Sequence, residues 1–234
     1  MRIINLAYVI VALSVLISIY YYPILPDQVV SHWGINGEPN GYASKTFILA
    51  LVPGLSILFV LLFLVLPRID PMKENIAKFR NYYQGIIVLL VGFLLYLQII
   101  TIVWNLGFQF QMIQALAPAL AVLFYVIGVT LQHSKRNWFL GIRTPWTLSS
   151  DAVWEKTHRI GGHLFKLSGL IALLGVIYPQ YALPLIIIPI IATAIYTTVY
   201  SYFEYAKIKG SIKEKTATTR QSVRKTRKAP VRRR

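Results

Sequence analysis

The chain has 234 residues, of which 56% are hydrophobic and only 14% charged, whereas about a quarter of the residues in an ordinary soluble domain are charged. That excludes a water-soluble globule. Lys and Arg number 24 against 8 Asp and Glu, twelve of the basic residues lie in 207–234 with Glu214 as the one acid there, and cysteine is absent, which excludes disulfides, Cys-ligated metal centres and a thiol nucleophile.

About 20 apolar residues cross a bilayer core of roughly 30 Å, and six stretches qualify: 3–22, 46–66, 85–104, 112–131, the shorter 164–178, and 181–203. The first is too long for a secretory signal and ends in Tyr20, Tyr21, Tyr22 and Pro23, not in the small residues of a cleavage site. It reads as a retained anchor. Tyrosines at 82, 83, 178, 181 and 205, with Trp104, sit near span ends, as an aromatic belt requires. Lys166 lies near the start of the fifth span and can snorkel to the interface. Pro179 and Gln180 mark a tight link between the last two spans.

With the N-terminus inside, every Lys and Arg except Lys45 falls on the cytoplasmic side. The bias of positive residues toward that side therefore predicts both termini in the cytoplasm, with 23–45 and 105–111 outside and 67–84 and 132–163 inside. The fold class expected is an all-α membrane protein of six transmembrane helices with a folded external loop. A basic tail at 206–234 is expected to be disordered, because so few apolar residues cannot offset the ordering entropy. The domain division expected is an N-terminal membrane module 1–110, a C-terminal membrane module 111–205 and the tail.

The external loop contains two Asn-Gly pairs, 36–37 and 40–41, which are turn signals, and His32, Trp33 and Tyr42 are available to pack. Ser44 is placed to cap the second span. Such a loop serves equally as a lid on the helix ends or as a ligand-contacting surface through His32 and Trp33.

Chemistry inside the spans is sparse. No Asp, Glu, Lys or Arg lies at mid-span, and there is no Gly-x-Ser-x-Gly elbow or His-Glu motif, so an intramembrane protease or proton-coupled carrier is not expected. Gln98, Thr101 and Asn105 share one helix face, as do Thr193, Thr197 and Tyr200. These neutral faces suit interhelical hydrogen bonds or a lined pathway. Four histidines, at 32, 133, 158 and 163, are divided by the topology, and His158 and His163 point roughly 140° apart on a helix. No metal, cofactor or enzyme activity is expected.

The inner segment 137–163 is too polar to cross the membrane yet carries Trp138, Trp146 and Trp154, which suggests docking at the interface. Ser149 is the expected N-cap of a helix with Asp151 in its first turn and a Glu155–Arg159 pair at i, i+4. Arg143, just before Thr144 and Pro145, is either presented to a phosphate or acidic partner or ties the loop to a helix end.

Two motifs resemble a known family. Leu25-Pro26-Asp27-Gln28-Val29, His32-Trp33, Gly37, Pro39, Gly41 and Ser44-Lys45 resemble the external loop of the N-terminal module of SdpI-like membrane proteins. The stretch from Asn137-Trp138-Phe139-Leu140-Gly141-Ile142-Arg143-Thr144-Pro145-Trp146-Thr147-Leu148 to Trp154, Thr157-His158-Arg159 and Gly161-Gly162 is similar to that family's C-terminal signature. The resemblance implies a multi-pass cell-membrane protein that confers immunity to a secreted toxic peptide and in some systems also sequesters a transcriptional repressor at the membrane. The contact residues expected are then His32 and Trp33 outside and Arg143, Trp146, Trp154, His158 and Arg159 inside. The long basic tail departs from the family pattern. Its partners are expected to be anionic lipid headgroups, ahead of nucleic acid. Two rival readings remain: a transporter or lipid-handling protein using the neutral polar faces, and a membrane tether whose working part is the tail.

Overall fold

The computed structural model describes residues 3–35 and 37–227, with side chains described as far as Ser211. Helix α1 (Ile3–Tyr21) leads into a two-stranded antiparallel hairpin of β1 (Gln28–Trp33) and β2 (Pro39–Ser44). Then come α2 (Lys45–Ile69), a short α3 (Lys73–Lys78), α4 (Arg80–Asn105) and α5 (Met112–His133). A short α6 (Pro145–Ser149) precedes α7 (Asp151–Ile177), and a 3-10 turn at Pro179–Tyr181 leads into α8 (Ala182–Arg227). Six of these helices are long and apolar enough to cross a membrane.

Apolar side chains cover these helices on most sides. Leu16 and Ile19 of α1, Leu58 and Leu61 of α2 and Ile188 and Ile195 of α8 are more than half exposed, the pattern of a helix whose solvent is lipid and not water. The inward faces mix apolar residues with small and polar ones. In α1 the buried residues are Ile4, Ala7 and Ser14.

The helices pack in two groups, α1 with α2 and α4, and α5 with α7 and α8, joined across α4 and α5. Lipid tails are as apolar as leucine, so a helix pair in a bilayer gains from close backbone approach and interhelical hydrogen bonds rather than from hydrophobic burial. Both devices are present. A Cβ at Gly128 of α5 would stand 2.6 Å from the Gly162 carbonyl of α7, and one at Gly169 of α7 would stand 2.6 Å from the Ala121 carbonyl. In the first group Gln98 of α4 donates from Nε2 to the Ser14 carbonyl (3.0 Å) and Ser18 Oγ (2.7 Å), and Ser14 Oγ donates to Gln98 Oε1. Ser18 Oγ in turn donates to the Leu49 carbonyl of α2 at 2.7 Å. Ser168 and Thr193 link α7 to α8 through their hydroxyls at 3.2 Å.

The expected external loop is a hairpin, so the all-helical description takes in one small sheet. Of the glycines in its two Asn-Gly pairs, only Gly37 lies in the turn, at φ +84°. Gly41 lies inside β2 opposite His32, where the pairing register slips. A Cβ there would stand 2.9 Å from His32 Cβ, so the second glycine serves a bulge and a close strand approach. Ser44 caps α2 as its position predicts, accepting from the Phe47 N–H.

The second half of the inner segment is helical, as expected, and continuous with the fifth span: α7 runs 27 residues from Asp151. Three other expectations are corrected. The N-cap is Ser150, not Ser149, its Oγ accepting from the Val153 N–H at 3.4 Å, because Ser149 closes the separate α6. Glu155 pairs with Lys135 at 2.9 Å and not with Arg159, since the tight α5–α7 packing brings the end of α5 beside the first turns of α7. Finally, α8 continues to Arg227, which replaces disorder with helix from 206 to that point. A helix already nucleated in the preceding span pays no nucleation cost, and its Lys, Arg, Ala and Gln residues propagate it well. Residues 228–234 lie outside the described residues.

Candidate functional site

The expected contact residues fall at two ends of the bundle. At one end the hairpin is clamped onto α4. The Asn105 carboxamide takes both polar groups of one strand residue: Oδ1 accepts the Val30 N–H at 2.7 Å, and Nδ2 donates to the Val30 carbonyl at 3.0 Å. Trp33 packs edge-on against Trp104 with ring centroids 5.4 Å apart. Lys45 closes the base of the hairpin through Asp27 at 3.0 Å and the Leu25 carbonyl at 3.1 Å. His32 is exposed and meets Asn40 across the strands through Nδ1. Beneath the tip lies a partly open cavity of about 380 Å³ between β1, α4 and α5.

At the other end, residues 134–150 form a polar knot tied to residues distant in sequence, among them Asp70, Asn75 and Ser201. Asn137, fully buried, accepts the N–H groups of Phe139 (2.9 Å) and Leu140 (2.7 Å) on Oδ1 and donates from Nδ2 to the carbonyls of Lys135 and Leu140. Asp70, 2% exposed at the end of α2, receives the Met72 N–H at 2.6 Å and the Trp138 N–H at 3.0 Å on its two carboxylate oxygens. Asn75 donates to the Arg136 carbonyl at 2.8 Å. Thr144 and Thr147 form a reciprocal capping box at the start of α6, and Thr144 reaches Ser201 of α8 at 3.0 Å.

Trp154 and His158 lie at the centre of this knot, each 1% exposed. Their rings stack with centroids 3.9 Å apart and planes 15° from parallel, the outcome of i, i+4 spacing on α7. Trp154 Nε1 donates to the Ser134 carbonyl at 3.2 Å. The Ile142 N–H donates to His158 Nε2 at 2.9 Å, so the ring proton sits on Nδ1, which donates to the Trp154 carbonyl at 2.8 Å. The polar atoms of both side chains are satisfied within the chain.

Arg143, Arg159 and Trp146 are placed differently. Arg143 is exposed and donates from one Nη to the Trp138 carbonyl at 2.6 Å, so it holds a loop peptide and not a helix end. Arg159 is exposed on α7, and its carbonyl receives Gln132 Nε2 at 3.4 Å. Trp146 is half-buried and packs edge-on against Tyr202 of α8 at 5.2 Å. Exposed cations therefore surround a buried aromatic centre. Among the described residues no group of three His, Cys, Asp or Glu side chains could hold a metal ion.

The structural roles of Asp70, Asn137 and Gly141 escaped the sequence reading, although the last two stand in the family signature. Asp70 before Pro71 carries only a turn signal, Asn137 bonds only to backbone groups two or three residues away, and Gly141 does not announce His158 as its neighbour. Gly141 adopts φ +133°, a region essentially closed to other residues.

These features define a multi-pass membrane protein with a clamped hairpin at one end and a knotted, cation-edged segment at the other. Residues 134–201 match the SdpI/YfhL protein family, and residues 9–57 match a domain of unknown function, DUF1648. The chain is 26% identical to the Immunity protein SdpI of Bacillus subtilis (strain 168) over 204 residues, covering 87% of this chain and 96% of that protein. The chain is thus similar to SdpI-like proteins in these segments and along most of its length. The family match begins at Ser134, which receives Trp154, and ends at Ser201, which meets Thr144; the knot is thus the family segment. No solved structure matches.

Proposed function

We propose that this is a cell-membrane immunity protein, protecting the cell that makes it against an agent acting at the membrane. The observation that carries the reading is the relationship with the Bacillus subtilis immunity protein along nearly its whole length. Both termini lie in the cytoplasm, as the confinement of all Lys and Arg but Lys45 to one side argues. The hairpin with His32 and Trp33 then faces outside, where a secreted toxic peptide would be met. The knot faces inside, where Arg143, Arg159 and Trp146 are available to an acidic or phosphate-bearing partner, including a repressor held at the membrane. The helical tail adds basic residues that favour anionic headgroups.

The transporter reading is weakened by the use of the polar faces. Gln98 and Asn105 spend their amides on α1 and the hairpin, and Thr193 spends its hydroxyl on Ser168. The test is to express the chain in a toxin-sensitive host and challenge it with candidate secreted peptides. Survival at otherwise lethal doses is expected. Equal killing with and without well-inserted protein, across all the candidate peptides, overturns the reading.

A further inference from the structure

Helix α7 carries cations that no acid of the chain meets. Near its start the charges are paired: Arg136 reaches Asp151 at 2.7 Å, Lys135 reaches Glu155 at 2.9 Å, and Lys156 reaches Glu204 of α8 at 2.7 Å. Beyond Glu155 the sequence holds no Asp or Glu until Glu204, and α5, packed against α7, holds none. Arg159, His163 and Lys166 follow at i, i+4 and i+7, which places them on one face of the helix. Among the described residues none of the three meets a carboxylate.

Lys166 enters the span without a counter-charge. Its Cα lies two turns past Arg159, and the side chain runs back toward the end of the bundle, where Nζ donates to Gln132 Oε1 at 2.8 Å. Gln132 stands one residue before the end of α5 at His133. The neutral amide occupies one of the three ammonium donors and cancels none of the charge, and a cation held so within a span is costly unless a partner meets it. Past Lys166 the same face turns apolar, with Leu170 and Leu173 exposed. Tyr125, two turns inside Gln132 on the same face of α5, is exposed beside them, and the helices are close there, since a Cβ on Gly169 would stand 3.1 Å from the Tyr125 nitrogen. We propose that this face of α5 and α7 binds one anionic phospholipid, whose phosphodiester accepts from the Arg159 guanidinium and the Lys166 ammonium, with His163 between them, and whose acyl chain lies along Tyr125, Leu170 and Leu173. The phosphodiester supplies the missing negative charge, and the chain covers the leucines, which a free phosphate or an acidic peptide leaves bare. The phosphate-bearing partner of Arg159 is then a lipid, whether or not the protein confers immunity, and Arg143 stays open to a second partner.

The test uses the full chain in bilayers of phosphatidylcholine and phosphatidylglycerol, with a trace of one lipid or the other bearing a diazirine in an acyl chain, followed by photolysis and peptide mapping. The phosphatidylglycerol probe is expected to label Tyr125, Leu170 or Leu173 about fivefold or more above the phosphatidylcholine probe, whereas Ile188 and Ile195 of α8 take both equally. Arg159→Gln and Lys166→Gln should each reduce that preference about fivefold, the effect of one basic residue at an anionic surface. Arg159→Gln leaves the contact with α5 in place, because Gln132 donates to the Arg159 backbone carbonyl, and labelling at Ile188 reports insertion of each variant. Lys209→Gln removes the same charge from an exposed position on α8 and should leave the preference unchanged. Excess inorganic phosphate or a soluble acidic peptide should not compete. The proposal is overturned if the two probes label the α7 face equally, if Arg159→Gln leaves the preference intact or Lys209→Gln lowers it as much, or if inorganic phosphate or the peptide abolishes it.

Discussion

Gly141 lies directly against His158: a Cβ added at Gly141 would stand 2.5 Å from His158 Nε2, the atom that accepts the next residue's N–H. The same Cβ would meet the Trp154 ring at 2.9 Å. A glycine at one position of the loop thus allows the backbone to lie on a stacked aromatic pair. Gly141→Ala should destabilise the protein by about 2–4 kcal/mol, combining backbone strain with a displaced ring pair. Thermal unfolding of the detergent-solubilised protein checks this, and a transition within a degree or two of wild type refutes it.

His158 and Trp154 carry a related forecast. Removing the imidazole leaves the Ile142 N–H buried without its acceptor, at a cost of about 1–3 kcal/mol. His158→Ala should therefore lower abundance and activity together. The measurement is membrane-inserted protein by immunoblot beside immunity in the same cells. A His158→Ala protein that is abundant and stable but inactive would mean that the ring acts on a partner directly.

The contrast between these two residues and Arg143 shows where sequence reading reaches and where it stops. Six spans are legible because a bilayer sets a minimum length for an apolar run, and the Ser44 cap is legible because its partner is three residues away. The pattern Trp-x-x-x-His is the same whether the pair faces a partner or the interior. Burial here is decided by Ser134, Gly141 and Ile142, which local spacing does not bring to α7. Asp70 is hidden for the same reason, since its acceptor role spans 68 residues to Trp138. The tail's composition argues for disorder, but continuity with a membrane helix prevails as far as Arg227.

Asp70 gives a second stability prediction. Its two oxygens hold the turn after α2 and the knot at once. Asp70→Ala strands two N–H groups and should cost about 2–4 kcal/mol, whereas Asp70→Asn keeps an acceptor for one of them and should cost less. Thermal unfolding of both variants ranks them, and equal losses would show that the negative charge and not the acceptor geometry is what matters.

Topology can be read with cysteines, since none is present to interfere. Asn40→Cys and Gln109→Cys should react with an impermeant thiol reagent applied to intact cells. Glu74→Cys and Ser149→Cys should react only after permeabilisation. All four side chains replaced are at exposed positions, so access depends on the side of the membrane alone. Labelling of Ser149→Cys from outside would invert the assignment and place the cation-edged knot in the extracellular space.

Arg143 is the residue on which the inner-side reading depends. Its guanidinium is exposed, and the bond to the Trp138 carbonyl occupies one Nη, which leaves the planar fork in position for a carboxylate or phosphate. Arg143→Ala removes one loop hydrogen bond, which in an exposed setting is worth about 0.5–1.5 kcal/mol, too little to prevent insertion. Lysine keeps the charge but not the fork. If the partner is gripped bidentately, Arg143→Lys should therefore lose nearly as much immunity as Arg143→Ala, with both proteins at wild-type abundance. If the charge alone matters, lysine restores activity. Full immunity in a well-inserted Arg143→Ala protein would remove the knot's exposed edge from the mechanism and direct attention to His32 and Trp33 at the opposite end of the bundle.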